Sequence, residues 1–94
     1  MRFLVVKEGK LTKRINVDRI INIQSYDNKV KILYDIGGDC NSVELEVKGS
    51  AEHVADYIMN RVLGDEKVID IRDVAEKVEF LTGLELAKKS GIIA

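Results

Sequence analysis

KVKILYDIGGDCNSVELEVKGSAEHVADYIMNRV, residues 29–62, changes its apolar period once, and that change decides the fold. Across 29–36, Val30, Ile32, Tyr34 and Ile36 alternate with Lys29, Lys31, Leu33 and Asp35. Across 42–48, Val43, Leu45 and Val47 alternate with Glu44, Glu46 and Lys48. Successive side chains of a strand point to opposite faces, so each segment reads as a half-buried antiparallel strand with its apolar set inward. Gly37-Gly38-Asp39-Cys40-Asn41 between them predicts a loop. At Gly49-Ser50 the period lengthens to that of a helix: Ala51, Val54, Ala55, Ile58, Met59 and Val62 share one face. Ser50 is placed to cap the first turn, Glu52 to favour its dipole, and Gly64 to end the helix at the C′ position.

Working back from residue 29, Asp27-Asn28 predicts a turn, preceded by a strand at 21–25 in which Ile21 and Ile23 alternate with Asn22 and Gln24. Asn16-Val17-Asp18-Arg19 reads as a polar corner. Before it, the runs 3–7 and 11–17, joined through Glu8-Gly9-Lys10, form a hairpin with Leu11, Ile15 and Val17 inward. The expected fold is α+β: a five-stranded antiparallel β-meander, as an open sheet or partly closed barrel, packed by one amphipathic helix and spanning 1–64. Residues 65–94 read as a helical appendage. Val68 and Ile69 are open to an extended form, Asp70 caps a second helix carrying Ile71, Val74, Ala75, Val78 and Leu81, and Gly83 breaks it. The tail with Leu84, Leu86, Ala87, Ile92 and Ile93 is too apolar to stay free, and docks on its own or a neighbouring subunit.

Composition narrows the class. A chain of 94 residues holds one core, and 46% apolar with 33% charged residues is a globular balance. Its longest apolar runs fall far short of the roughly 18 residues of a membrane span, and the apolar start before Lys7 and Glu8 is too short for a signal-peptide core. A lone cysteine, Cys40, fits a reducing compartment, so the expected location is cytoplasmic. Proline is absent, which leaves the turns to glycine, asparagine and aspartate. Residues 1–31 carry eight basic against three acidic side chains, net +5; the remainder carries seven against thirteen, net −6. The fold is therefore polarised unless its ends interleave.

The segment INVDRIINIQSYDNKVKILYDIGGDCNSVELEVKGSAEHVADYI, at about 15–58, resembles small bacterial and phage proteins of the flagellar FlbD-like type. Asn16, Asp18, Ile20, Ile23, the strand at 29–36 and Ser50 occupy the places of that pattern. SYDNKVKI at 25–32 also resembles the opening half of LytTR DNA-binding domains, without their later basic segment. The resemblance implies a β-meander with a covering helix, in a bacterium or in the host cell if phage-encoded. It transfers no catalytic residue.

Residues with chemical potential are few. His53 with Asp56, one turn apart, lacks the further ligands of a metal site. Cys40 with His53 lacks the orienting group and oxyanion site of a nucleophile pair, and Gly37-Gly38 lacks the spacing and lysine of a phosphate loop. The expectation is no cofactor, no metal and no catalysis. If Val30, Ile32 and Tyr34 face the helix, the opposite face shows Arg14, Lys29, Lys31, Asn22 and Gln24, a surface for an anion or a protein partner.

The reading this favours is a non-catalytic binding or assembly module that self-associates, most simply as a dimer. It fits a phage-type accessory protein binding a host protein or a small anionic ligand. The alternative is a nucleic-acid-binding regulator using the basic face. Leu84, Leu86, Ile92 and Ile93 are the expected oligomer interface, with the run 3–7, as an exposed edge strand, the next choice. No membrane is involved in either reading.

Overall fold

A computed structural model describes residues 1–74. Six strands, β1 (Phe3–Glu8), β2 (Leu11–Asn16), β3 (Ile20–Tyr26), β4 (Lys29–Ile36), β5 (Asp39–Glu46) and β6 (Val68–Asp70), and one helix, α1 (Ala51–Val62), make up this part of the chain, with a 3-10 turn at Val17–Arg19. The α+β class and the run of five strands ahead of the helix match the sequence reading. Their assembly differs, because the meander breaks between β2 and β3, giving two three-stranded sheets of order β2-β1-β6 and β3-β4-β5.

The break lies in the polar corner. Asn16 Oδ1 accepts from the Asp18 backbone N–H at 2.9 Å, and the Val17 N–H donates to the Arg2 carbonyl at 3.0 Å. The first bond caps a 3-10 turn closed by the Ile20 N–H on Val17 O, and the second is the end of the β1–β2 ladder; beyond it the turn carries the chain out of the first sheet before β3 begins. β4 then pairs with β3 from Tyr26↔Lys29 to Ile20↔Tyr34, with an irregularity between Ile20 and Asn22, and with β5 from Lys29↔Glu46 to Ile36↔Asp39. The β4–β5 turn is only Gly37-Gly38, at φ of 57° and 93°. Two successive left-handed residues make the tight turn whose twist suits a hairpin. Asp39, Cys40 and Asn41, expected in a loop, therefore belong to β5, with Cys40 opposite Asp35.

β1 is paired on both edges, and its first half, Phe3 to Val6, is apolar on both faces. β2 runs antiparallel along one side, from Phe3↔Asn16 to Glu8↔Leu11, and β6 parallel along the other, with Phe3↔Val68, Leu4↔Ile69 and Val5↔Asp70. Two further backbone bonds extend the β6 pairing, Phe3 N–H to Lys67 O at 2.8 Å and Ile71 N–H to Val5 O at 3.0 Å. Leu4, Val6, Ile15 and Ile69 face the core from this sheet, and Val30, Ile32, Tyr34, Val43 and Leu45 from the other. Ala51, Val54, Ala55 and Ile58 add the stripe of α1, which packs on β3 and β4. Ile71 and Val74 join the same cluster, so residues 68–74 complete the core of the preceding segment.

Both ends of α1 are closed as the sequence suggests, by different means. Ser50 Oγ accepts from the His53 N–H at 3.3 Å. Leu63 is the C-cap, and Gly64 follows at C′ with its N–H donating to Arg61 O at 3.1 Å; it does not take a left-handed φ. Arg2 donates to two of the last carbonyls, Val62 O at 2.8 Å and Arg61 O at 3.3 Å, and to Glu66 O beyond the helix at 2.7 Å. A cation at a helix C-terminus also answers the dipole.

Some inward assignments fail at element ends. Leu11 and Ile36, beside turns, and Met59, at the margin of the helical stripe, are exposed, while Val62 packs partly buried against the core. Asp70 ends β6, and its carboxylate accepts from the Arg72 backbone N–H at 3.1 Å, the kind of bond an N-cap makes. The second helix past Val74, its break at Gly83, and Leu84, Leu86, Ile92 and Ile93 lie outside the described residues.

If β6 is integral, Ile69→Ala destabilises the fold as much as Leu4→Ala does, by about 2–5 kcal/mol each, since both side chains are fully buried. Urea unfolding measures both. A loss below about 1 kcal/mol for Ile69→Ala alone would show that β6 is dispensable.

Candidate functional site

The outward face of the β3-β4-β5 sheet follows from its register. Three rows cross it: Asn22–Leu33–Ser42, Gln24–Lys31–Glu44 and Tyr26–Lys29–Glu46. Four of the five expected site residues, Asn22, Gln24, Lys29 and Lys31, thus share one surface. Arg14 is on β2 in the other sheet, where it lines a cleft of about 260 Å³ with Arg19, Tyr34, Asp35, Ile36 and Gly37.

The shared surface is mixed in sign. Glu44 and Glu46 of β5 stand in the same rows as Lys31 and Lys29, so the basic first third of the chain interleaves with the acidic remainder. Glu44 accepts from the Tyr26 hydroxyl at 2.5 Å and pairs with Lys29 at 3.3 Å. These two partners, the hydroxyl first, hold its carboxyl below the usual range and in return push the Tyr26 and Lys29 values up. Such half-exposed pairs contribute little stability, roughly 0–1 kcal/mol, but they fix side chains.

Glu8 joins the two sheets. One carboxylate oxygen accepts the Glu44 backbone N–H at 2.8 Å and the other pairs with Lys13 at 3.1 Å. The N–H bond is the chief reason its carboxyl titrates below the ordinary 4.5, with Lys13 adding to it against some desolvation. A cleft of about 460 Å³ beside this bridge is lined by Lys7, Glu8, Glu44, Glu46 and Arg72. Arg72 is engaged with Asp70 at 2.7 Å, and its guanidinium and N–H lower the Asp70 value to about 2. Neither Glu8's bridge nor Arg2's tether has a signature in the sequence, since each joins a β1 terminus to an element far along the chain.

The other expected chemistry can be placed as well. His53 and Asp56 are exposed on α1, and Cys40 is exposed on β5. Among the described residues, no three His, Cys, Asp or Glu side chains converge as a metal site would require, and no helix is long and apolar enough to cross a membrane.

The sheet edges differ more than the faces. β1, offered by the sequence as an edge, is the centre of its sheet; among the described residues the edges are β2, β6, β3 and β5. β2 carries Lys13 and Arg14, β5 carries Asp39, Glu44 and Glu46, and β6 is three residues long with Asp70. β3, IINIQSY, carries no charge over seven residues. Exposed sheet edges are ordinarily blunted by charge, shortness or bulges. Comparison with known protein families, curated proteins and solved structures gives no match to this chain.

The Glu8 bridge predicts a pH effect. Its folded-state value is depressed, so its stabilisation is present above about pH 4.5 and is lost as pH falls through the lower folded value. Glu8→Gln is accordingly less stable than wild type at pH 7, and the two stabilities converge between pH 5 and 2 in urea titrations. Parallel curves across that interval would show that the charge on Glu8 contributes nothing.

Proposed function

We propose that this protein is a non-catalytic binding and assembly module that self-associates. The observation supporting this reading is the uncharged edge strand β3 in a chain one-third charged, with Ile21 60% exposed on it. An open strand edge offers unpaired backbone N–H and C=O groups, and strand addition is a recurrent mode of protein recognition. The neighbouring face supplies both signs of charge within reach of that edge, Lys29 and Lys31 beside Glu44 and Glu46. Interspersed charges suit a protein surface better than a phosphate backbone, which favours the assembly reading over a nucleic-acid-binding regulator. A host protein bound in the manner of a phage-type accessory factor would use the same edge and rows; a small anion would have Lys31 and Gln24.

Light scattering on the full chain at tens of micromolar tests self-association. The expected mass is that of a dimer. A monomeric mass across that range would defeat this reading.

A further inference from the structure

We infer that the β3 edge is the self-association surface and that its occupant is β3 of a second copy, paired antiparallel across a two-fold axis so that the two β3-β4-β5 sheets become one. This inference rests on the self-association reading and names its contact.

The geometry gives the donors and acceptors. The Asp27-Asn28 turn is a two-residue hairpin, with Tyr26 opposite Lys29 and Asp27 at φ 50°. Residues flanking such a turn exchange hydrogen bonds, and bonded pairs then alternate along the ladder. Tyr26, Gln24 and Asn22 therefore bond to β4, whereas Ser25 and Ile23 turn their N–H and C=O groups to the open side. A two-fold centred on Gln24 sets Ile23 of each copy against Ser25 of the other, using all four of these groups in both copies. It leaves the irregularity between Ile20 and Asn22 outside the new ladder.

Charge decides which edge can meet its own copy. Antiparallel self-pairing sets a strand against itself, so charged edge residues face like charges, which is destabilising. β2 would oppose Lys13 and Arg14 with themselves, and β5 its Asp39, Glu44 and Glu46. β3 opposes only amides, hydroxyls and apolar groups. Asn22, Gln24 and Ser25 are all exposed, so none of them is already committed to the core. A second copy is thus the partner whose chemistry is complementary to this strand by construction.

Two outward positions test it without touching the core. Asn22→Lys with Gln24→Lys, and Asn22→Glu with Gln24→Glu, each put like charges across the proposed axis. Each double variant alone should dissociate, with a dissociation constant raised at least about tenfold, while keeping the wild-type circular dichroism and a cooperative melt. Mixed in equal amounts, the lysine and glutamate variants should form a one-to-one heterodimer, read by native mass spectrometry. That pairing is required whichever β3 residue lies on the axis. If wild type is dimeric and both variants stay dimeric, the β3 contact is refuted while self-association stands. The same holds if both are monomeric yet fail to pair on mixing. If wild type is itself monomeric, both the contact and the reading beneath it fall.

Discussion

Strand β1 is hydrogen-bonded along both edges, and most of the architecture depends on that. Its alternate residues Leu4 and Val6 are fully buried, and Val5, on the opposite face, is nearly so. Where both faces are buried a strand must be apolar on both, as LVV is, and the charges of Lys7 and Glu8 come only at its end. Because β2 comes from the adjacent sequence and β6 from more than sixty residues away, the strand ties the two ends of the described chain into one sheet. Its termini then reach the other layer. Arg2, just before it, holds the last carbonyls of α1, and Glu8, at its far end, holds the Glu44 N–H of β5. A fold with net stability of about 5–15 kcal/mol leans on few such ties, each bond to a charged group being worth about 1.5–3 kcal/mol at most. Glu8 and Arg2 are therefore best seen as setting where the second sheet and the helix sit, while burial supplies most of the stabilisation.

What the sequence showed and hid follows from the range of each interaction. The β4, β5 and α1 assignments rest on periodicities that run for eight to twelve residues, and Ser50 caps the helix as its position implies. β6 is three residues long, too short for any period, and its partner is at the opposite end of the chain. Alternation gives a residue's face within its strand but not the sheet that holds the strand. Arg14 was correctly outward, yet the corner at Val17–Arg19 put β2 in a different sheet from Lys29 and Lys31. The positive face failed for a related reason. Net charge summed along segments cannot see that β5, from the acidic part, sets Glu44 and Glu46 beside the lysines of the basic part. Nor could IINIQSY be read as an edge until the break between β2 and β3 was known.

An uncharged edge raises the question of why the proposed association should stop at two copies instead of continuing into a fibre. Sheets that join through unlike edges leave a fresh copy of each edge open, and growth has no end. Joining β3 to β3 consumes that edge in both copies, leaving β5 at each outer margin of a six-stranded sheet. β5 there presents Asp39, Glu44 and Glu46, so two such margins meet with acidic residues against acidic residues. The bulge at Ile20 and Asn22 also shortens the regular part of β3, which limits how far a strand of unrelated sequence can run along it. The same register that neutralises the face of the sheet therefore makes its two edges unlike, one able to pair with itself and one repelling its own copy, and in the proposed dimer that asymmetry closes the assembly.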